Sequence, residues 1–404
     1  MADHGSAPLA PLETRMNIRQ AIAAIITAYS SCTAFAGLYP TYPLGVVPGT
    51  WQQDRYPPAV FANGGAINGR ANVLDLGIAN ADSLLNRPIG FSTTFYNTQG
   101  RGFTIDLPAY SVLYGSIYLP STWSASAGPA TNRRSDMWGV LAPAFGGSVC
   151  PAGNCNHYPI LGFTNADPVS PLTTGGTGRY RVFDSTIGFT DLATPVTYDQ
   201  WTDVCIAWTG ADVRHYINGV QVYVQSDMTQ GDASFGPPNK YINHIVQAYN
   251  FGGADWNVNW SGLGSGQVSS SSVAVGSPQT VAQSTAFAVP LTLAVLDATG
   301  APLPCVPVTF AVPGVGASAV LSSLSAVTDR NGRASVTASA NATLGSYNVT
   351  AQAAGGIAAV TFLLNNGPAA PSVNPTGVPT LTSVGLGLLV LMLAGTAMLG
   401  SRRR

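Results

Sequence analysis

Charged residues are scarce in this chain. Asp, Glu, Lys and Arg make up 9% of it, against roughly 25% in a typical soluble domain. The formal net charge is -1, so the sequence lacks the basic footprint of a nucleic-acid-binding protein, and no such partner is expected. Glutamate occurs once, at Glu13, and lysine once, at Lys240. Any carboxylate in a functional site of the exported part must therefore come from Asp.

Small and β-favouring residues take the place of charge. The chain has 45 glycines, together with many Ser, Thr, Ala and Val residues. This composition suits an all-β protein that works outside the cell, and long helices are not expected in its folded part. The length of 404 residues allows two or three domains.

The N-terminal region has the pattern of a secretory signal peptide. Arg19 precedes an apolar run over residues 21–28, and an A-x-A cleavage site ends at Ala36. This order of charge, apolar centre and small residues is typical of export signals. The pattern begins best at Met16, so we expect a leader over residues 1–36 that signal peptidase removes.

The C-terminal region has the pattern of a membrane anchor. Residues 384–399 carry no charge, and three arginines follow at 402–404. With its flanks the run approaches the roughly 20 residues that cross a bilayer as a helix. Cationic residues stay on the cytoplasmic side. We therefore expect inner-membrane anchoring with the body of the protein facing the periplasm.

A short motif precedes this apolar run. Val378, Pro379, Thr380 and Leu381 are followed by the span and then by the arginines. This order resembles the IPTL-CTERM sorting signal of Gram-negative bacteria, with Val378 in place of the usual Ile. The resemblance covers residues 378–404. It implies an exosortase-like sorting protease as partner, cleavage near Pro379, and a final location at the cell surface or outside the cell.

Two segments of low complexity divide the exported part. Residues 264–272 are rich in Gly and Ser, which predicts a flexible linker. Residues 365–377 are rich in Pro, Asn and Gly, which predicts an extended spacer. Two modules remain, at 37–263 and 273–364.

The second module has the pattern of a β-sandwich. Short strand-like runs alternate with turn residues, and Val306, Val308 and Phe310 fall on one strand face. The runs LTLAVLDATGAPLPCVPVTFAVPG and AVTDRNGRASVTASANATLGSYNVTAQ resemble the bacterial Ig-like domain of the invasin/intimin class. The resemblance implies a rigid stalk without a cofactor, in which Asp and Gly fill turns. Cys305 stands where Gly is more usual.

The first module has more strands and a strong hairpin signal. Asn218 and Gly219 separate two alternating runs within residues 213–224, which predicts a tight turn. The order W-x-x-V-x-I-x-W over 201–208 and then Y-x-N-G resembles the concanavalin A-like (LamG-type) jelly roll. The predicted fold class is all-β: a jelly-roll sandwich followed by an Ig-like β-sandwich, with an N-terminal signal helix and a C-terminal transmembrane helix.

The resemblance to the jelly roll does not determine a function, because this fold hosts lectins, glycosidases and polysaccharide lyases. A glycosidase needs two carboxylates about 5–10 Å apart. Hydrolases of this fold usually place Glu within a strand, and the module has none. Its Asp candidates fall in separate turns, where a turn-stabilising role is favoured: Asp184, Asp191, Asp199, Asp203 and Asp212.

A polysaccharide lyase needs a neutralising group and a base, commonly Arg, His and Tyr. Arg179 and Arg181 share a strand face, and His215 and Tyr216 precede the hairpin. These pairs lie in separate runs. The sequence therefore predicts that the chain is not an enzyme, with a surface lyase or hydrolase as the alternative.

Aromatic residues near the end of the first module suggest sugar binding, because glycan clefts stack rings on sugar faces. The predicted ligand-binding residues are Tyr249, Asn250, Trp256, Asn257 and Trp260. The alternative places the tryptophans in the sandwich core. The leading interpretation is adhesion or binding of an extracellular glycan or surface protein, and a further alternative is a structural matrix component.

Four of the five cysteines lie in the two modules. Cys150 and Cys155 are close in sequence, which predicts a local disulfide in an oxidising compartment. Cys205 lies in an apolar run and is predicted to be a buried free thiol. Nothing in the sequence pairs it with Cys305. No His or Cys spacing predicts a metal site, and no cofactor is expected, although a structural calcium ion is compatible with a LamG-type module.

Overall fold

The computed structural model describes residues 51–143, 156–228 and 238–368, and in these ranges the protein is all-β. The first module contains β1 (Gln52–Arg55), β2 (Val60–Asn63), β3 (Leu74–Ile78), β4 (Thr98–Pro108), β5 (Ser111–Tyr118), β6 (Arg134–Pro143), β7 (Ile160–Ala166), β8 (Gly175–Asp184), β9 (Gly188–Asp191), β10 (Trp201–Trp208), β11 (Val213–Ile217), β12 (Val220–Gln225), β13 (Pro238–Tyr249) and β14 (Trp256–Gln267). Its short 3-10 helices are Asn80–Asp82, Ile89–Phe91, Thr94–Asn97 and Ser121–Trp123.

The second module is built from ten shorter strands. They are β15 (Ser270–Val275), β16 (Gln279–Ala282), β17 (Leu291–Leu296), β18 (Pro307–Ala311), β19 (Ala319–Leu321), β20 (Ser325–Val327), β21 (Arg333–Val336), β22 (Ala338–Ala340), β23 (Gly345–Ala353) and β24 (Val360–Gly367).

Several predictions concern residues outside the described ranges. They are the signal peptide within 1–36, the disulfide between Cys150 and Cys155, the part of the spacer beyond residue 368, and the sorting motif and membrane span within 378–404. Among the described residues, no helix has both the length and the apolar character that a bilayer crossing requires.

The first module is a sandwich of two seven-stranded sheets. The first sheet has the order β1-β4-β13-β6-β7-β8-β9, and the second has β12-β11-β10-β5-β14-β3-β2. Side chains alternate between the core and the outer face along each strand. On β6, for example, Met137 and Leu141 are buried in the main core, whereas Trp138 and Val140 join a separate apolar cluster on the outer face.

The predicted hairpin is confirmed. Asn218 and Gly219 connect β11 to β12, with φ angles of 49° and 77°. Both angles lie in the left-handed region that the favoured two-residue hairpin turns require and that Asn and Gly tolerate best.

The second module has the predicted Ig-like sandwich organisation. Its sheets have the orders β15-β17-β21 and β16-β24-β23-β18-β20, with a further pair of β19 and β22. Val306, Val308 and Phe310 are all buried in its core. Asp297 and Asp329 each accept backbone N–H groups within their own turns, which fits the structural role that the resemblance implied for them.

The structure corrects the prediction for Cys205. Cys205 on β10 forms a disulfide with Cys305 of the second module. Sequence spacing could not show this pair because 100 positions separate the two residues. Cys305 has a φ of 59°, the left-handed conformation for which Gly is the usual residue. The cysteine is therefore held in a backbone conformation that costs about 1–2 kcal/mol.

The predicted flexible linker is also wrong. Residues 264–267 belong to β14, and residues 270–272 belong to β15. Small residues at these positions allow close packing, since a Cβ on Gly266 would lie 2.8 Å from Leu303. Only Val268 and Ser269 separate the last strand of the first module from the first strand of the second.

The Ig-like module covers the outer face of the second sheet. Val112, Tyr114 and Ala207 of that sheet belong to the same buried cluster as the Ig-like core. Across this junction Arg330 pairs with Asp203 at 2.5 Å. The outer face of the first sheet lies on the opposite side of the sandwich and receives no strand of the second module.

Candidate functional site

A row of polar residues crosses the outer face of the first sheet. Because neighbouring strands are antiparallel and directly opposed residues point to the same face, the register brings together positions from seven strands. In order across the sheet they are Asp54, Gly100, Gln247, Asp136, Gly162, Arg181 and Asp191. We call this set the polar row.

Two glycines make room within the polar row. A Cβ on Gly162 would lie 2.3 Å from Asp136 Oδ1, and a Cβ on Gly100 would lie 2.6 Å from Gln247 Cβ. Both distances are too short for real contacts, so any larger residue would displace its polar neighbour. The glycines therefore leave Asp136 and Gln247 in place at the middle of the sheet.

Rows of different character flank the polar row. On one side Ile245, Trp138, Ile160, Phe183 and Phe189 form an apolar row. On the other side lie Arg134, Arg179 and Tyr249. Each is two positions along its strand from a member of the polar row, and therefore on the same face of the sheet. The face thus combines an aromatic surface, a polar centre and a cationic edge.

Each carboxylate of the polar row forms an ion pair with an arginine. Arg55 Nη1 lies 3.2 Å from Asp54 Oδ2. Arg134 Nε lies 2.7 Å from Asp136 Oδ2, and Arg179 Nε lies 2.6 Å from Asp191 Oδ2.

Arg181 is the cation within the polar row itself. It makes no ion pair with any residue that the structure describes, and its buried Nε has no hydrogen-bond partner there. Its guanidinium group lies 3.5 Å from the centroid of the Phe189 ring. Burial, assisted by the nearby Arg134, lowers the pKa of Arg181 to about 10. At neutral pH the polar row therefore presents an unpaired positive charge.

Other polar atoms of this face are also unsatisfied. Asp136 Oδ1, Gln247 Nε2 and Trp138 Nε1 are buried and have no partner among the described residues. Buried polar atoms are nearly always paired in folded proteins, and exceptions often mark a functional site. Gln247 is held from its other end, because its Oε1 accepts a hydrogen bond of 3.0 Å from Arg55 Nη1.

Arg55 is fixed in an unusual position. Its φ of 58° is left-handed, a conformation that costs a non-glycine residue about 1–2 kcal/mol. The guanidinium group lies 4.4 Å from the Trp138 ring centroid and 4.8 Å from that of Phe95. Burial raises the pKa of Asp54 despite the adjacent Arg55.

Tyr249 completes the site at the end of β13. Its Oη accepts a hydrogen bond of 3.2 Å from Asn97 Nδ2, and Arg134 lies 5.3 Å from its ring centroid. The phenol is thus oriented by an amide and stands beside a cation. A phenol in such a position can transfer protons at a bound ligand.

Of the five predicted ligand-binding residues, the structure places only Tyr249 on this face. Trp260 is fully buried in the main core, where its Nε1 donates to Ser135 Oγ, and Trp256 packs edge-on against Trp123. Asn257 donates to Asp75 on the second sheet. The prediction of one shared cleft fails because Trp256, Asn257 and Trp260 lie on β14, which belongs to the other sheet.

Asn250 has a structural role one residue beyond Tyr249. Its Nδ2 donates to the Ala79 carbonyl, and its Oδ1 accepts from the Gly252 N–H group. These bonds fix the chain where it leaves β13.

Of the residues considered for the alternative, a lyase, the structure places some on the outer face of the first sheet and others elsewhere. Arg179 and Arg181 do share a face of β8, and Arg181 lies in the polar row. His215, however, is buried inside the sandwich, and Tyr216 lies under the Ig-like module. Of the Asp candidates, Asp191 lies in the polar row. Asp184 accepts the Thr186 N–H group and Asp212 accepts the Thr209 hydroxyl, both within turns. Asp199 accepts the Ser121 N–H group, and Asp203 joins the module junction.

His215 provides a test of stability rather than of activity. Both of its ring nitrogens are buried without a partner among the described residues, and burial lowers its pKa to about 3. Below pH ~6.5 the unfolded chain binds a proton that the folded chain cannot accept, so acidification destabilises the fold. We expect His215→Phe to reduce the loss of unfolding free energy by about 1 kcal/mol per pH unit below ~6.5.

Urea unfolding at neutral pH and at mildly acidic pH measures this difference. The wild-type chain is the reference, and Phe preserves the ring contact with Tyr223. Equal acid sensitivity of the two proteins would show that His215 is not the group responsible.

Sequence reasoning missed most of the polar row. A signal was present in Arg134, Asp136 and Trp138, which occupy alternate positions of one strand. Gln247 and Tyr249 show the same spacing. Charged or aromatic residues at alternate positions of an otherwise apolar strand indicate a functional outer face.

Among solved structures, 106 chains match this chain. One comes from work on endo-acting O-glycanases of the human gut microbiota, with 12% identity, a TM-score of 0.33, and coverage of 56% of this chain and 94% of that chain. Another is an alginate lyase from Zobellia galactanivorans, with 10% identity, a TM-score of 0.33, and coverage of 55% and 96%. A β-glucanase of Bacillus licheniformis has 8% identity, a TM-score of 0.28, and coverage of 55% and 92%.

The second module matches the family model of the bacterial Ig-like domain (group 1) over residues 270–363. This finding agrees with the resemblance noted in the sequence. No curated protein matches the chain.

The prediction that the chain is not an enzyme is overturned. The solved structures that share the jelly-roll fold include glycan-cleaving enzymes. That prediction depended on the missing Glu pair, which is a requirement of one reaction class only. The choice of reaction must come from the residues of the site itself.

Proposed function

We propose that the first module is a lyase that cleaves an acidic polysaccharide on the outer face of the first sheet. The observation that carries this proposal is Arg181, a half-buried cation whose buried Nε has no hydrogen-bond partner and which forms no ion pair in the described chain. A sugar carboxylate would supply the missing negative charge. Arginine suits this role because its planar group forms two parallel hydrogen bonds with a carboxylate.

The arrangement of carboxylates favours a lyase over a hydrolase. Asp136 is separated from Asp54 and from Asp191 by three strand spacings each, or about 14 Å at the backbone. Glycosidases need carboxyl groups about 5–10 Å apart. Each of these carboxylates is also ion-paired with an arginine.

The elimination would use groups of this face at each step. Arg181 binds the uronate carboxylate and disperses the negative charge that develops on it. Tyr249 takes the proton from the carbon next to the carboxylate. The electrons of that C–H bond form a carbon–carbon double bond, and the glycosidic C–O bond breaks. The leaving oxygen takes up the proton that Tyr249 removed, so Tyr249 returns to its starting form and no water is consumed.

The aromatic surface would hold the rest of the sugar chain. Phe189 of the apolar row is 40% exposed and lies beside Arg181, whereas Trp138 of the same row is buried. Sugar rings stack on such faces through their apolar C–H groups. Binding along the sheet would place several sugars on one face at the same time.

The test compares the full chain with two variants on a panel of polysaccharides. We expect uronate polymers to yield unsaturated ends, seen as new ultraviolet absorbance, and neutral β-glucans to remain intact. Arg181→Ala should lower kcat/KM by roughly 100-fold, as loss of a key charge-stabilising donor does. Arg214→Ala is the matched control, because Arg214 lies on the second sheet and pairs with Asp212.

Two results would refute the proposal. One is the release of reducing ends from a neutral glucan without unsaturation, which would indicate hydrolysis. The other is the absence of unsaturated product from every uronate polymer in the panel.

We also propose that the module acts at the cell surface, on the Ig-like domain as a stalk. The support is the export pattern of residues 1–36 and the sorting pattern of 378–404. Among the described residues, the apolar cluster that the Ig-like module shares with the jelly roll includes residues of the second sheet, so the outer face of the first sheet lies on the other side of the sandwich from that module. Fractionation of cells that produce the chain tests this location, and recovery of unprocessed protein in the cytosol would contradict it.

A further inference from the structure

A cavity lies beside the polar row. Its volume is about 380 Å³, within the usual range for small-molecule sites of ~300–1,000 Å³. We call it the loop pocket, since the loops after β3 and β13 form most of its wall. The residues that matter below are Asn80, Leu84, Leu85, Asn86, Asn97 and Leu172.

The loop pocket adjoins the proposed reacting group. Asn97 lines the pocket, and its Nδ2 donates to Tyr249 Oη at 3.2 Å. A single side chain therefore separates the pocket from the phenol. A polysaccharide that places one sugar at Tyr249 would place the neighbouring sugar in or at the pocket.

The chemistry of the pocket differs from that of the polar row. None of the residues lining it is charged, so it offers no counter-ion for a carboxylate or a sulfate. Asn86 Oδ1 and Asn80 Nδ2 make no hydrogen bond with other described residues, which leaves one acceptor and one donor for a ligand. Leu84, Leu85 and Leu172 add an apolar wall.

We infer that the loop pocket binds an acetamido sugar. The carbonyl oxygen of an acetamido group would accept from Asn80, its N–H group would donate to Asn86, and its methyl group would contact the leucines. The inference rests on the proposed function for the acidic sugar at Tyr249. Together the two sites select a copolymer in which a uronate is followed by an N-acetylhexosamine.

A binding experiment tests the pocket independently of catalysis. The probe is the methyl glycoside of N-acetylglucosamine, and methyl glucoside is the matched ligand without the acetamido group. Saturation-transfer NMR with the full chain should show the acetyl methyl group in contact with protein, and methyl glucoside should bind at least about tenfold more weakly, as expected for lost hydrogen bonds.

The variants use two exposed residues of one loop. Leu85 and Ile89 are 93% and 94% exposed, so replacing either has little effect on folding. The double variant Leu85→Ser, Asn86→Ala should weaken probe binding roughly tenfold. Ile89→Ser is the control, because Ile89 does not line the pocket, and it should leave probe binding unchanged.

Activity then connects the two sites. With an alternating uronate–N-acetylhexosamine polymer, the double variant should lose roughly tenfold in kcat/KM, whereas with a pure uronate polymer it should match the wild type. Equal binding of the two glycosides, or unchanged binding by the double variant, would overturn the inference. Absence of cleavage with normal probe binding would instead refute only the proposed reaction.

Discussion

Replacement of Tyr249 by Phe should abolish most cleavage of an acidic polysaccharide while leaving its binding intact. The substitution removes only the hydroxyl that accepts the Asn97 hydrogen bond. If this oxygen moves the proton in the elimination, kcat should fall by about 10²–10⁴-fold, the usual contribution of a positioned acid or base. KM should change little, because Arg181 and the aromatic surface remain.

Tyr216→Phe provides the matched control. Tyr216 lies on the second sheet, buried under the Ig-like module, and so is remote from the proposed site. Single-turnover measurement of unsaturated product gives the rate, and retention on immobilised polymer gives the binding. A Tyr249→Phe variant with the kcat of the wild type would show that another group transfers the proton.

Loss of the disulfide between Cys205 and Cys305 should cause the largest change in stability. The bond closes a loop with a sequence separation of 100, for which the chain-entropy model gives about 4–5 kcal/mol. Removal should therefore lower the unfolding free energy by about 2–5 kcal/mol. Because the bond lies at the module junction, on the far side of the sandwich from the polar row, the activity of the folded protein should be unchanged.

The left-handed backbone at Cys305 allows a sharper comparison. Cys205→Ala with Cys305→Gly should be more stable than Cys205→Ala with Cys305→Ala by about 1–2 kcal/mol, since Gly adopts a φ of 59° without a Cβ clash. Guanidinium unfolding of both double variants and of the oxidised wild type measures these differences. Coincident unfolding curves for all three proteins would refute the assigned role of the disulfide.

The junction also explains why the Ig-like module matters to the site. Its core is continuous with the outer face of the second sheet, and Arg330 adds an ion pair to Asp203. One face of the jelly roll is therefore occupied, and the polar row is on the other. Because the Ig-like module is attached to the opposite side of the sandwich, it does not cover the proposed site.

Much of the fold could be predicted from local patterns. The runs that alternate apolar and polar residues became strands, as in β17 (Leu291–Leu296), because each sequence position alternates between core and outer face. The pair Asn218 and Gly219 predicted the hairpin turn for a reason that is also local, because both residues tolerate the left-handed backbone that this turn requires. The site was harder, since only Tyr249, Arg179, Arg181 and Asp191 were recognised among its members, and they were considered for three different roles.

By itself, the sequence determined the all-β class, the Ig-like module and the scarcity of carboxylates, because these depend on composition and on contacts between near neighbours. Only the tertiary structure decided which residues meet. Arg55 and Gln247 are 192 positions apart, and the disulfide spans 100. In a jelly roll the order of strands in a sheet differs from their order in the chain, so packing of the two sheets, rather than any local pattern, assembles the polar row.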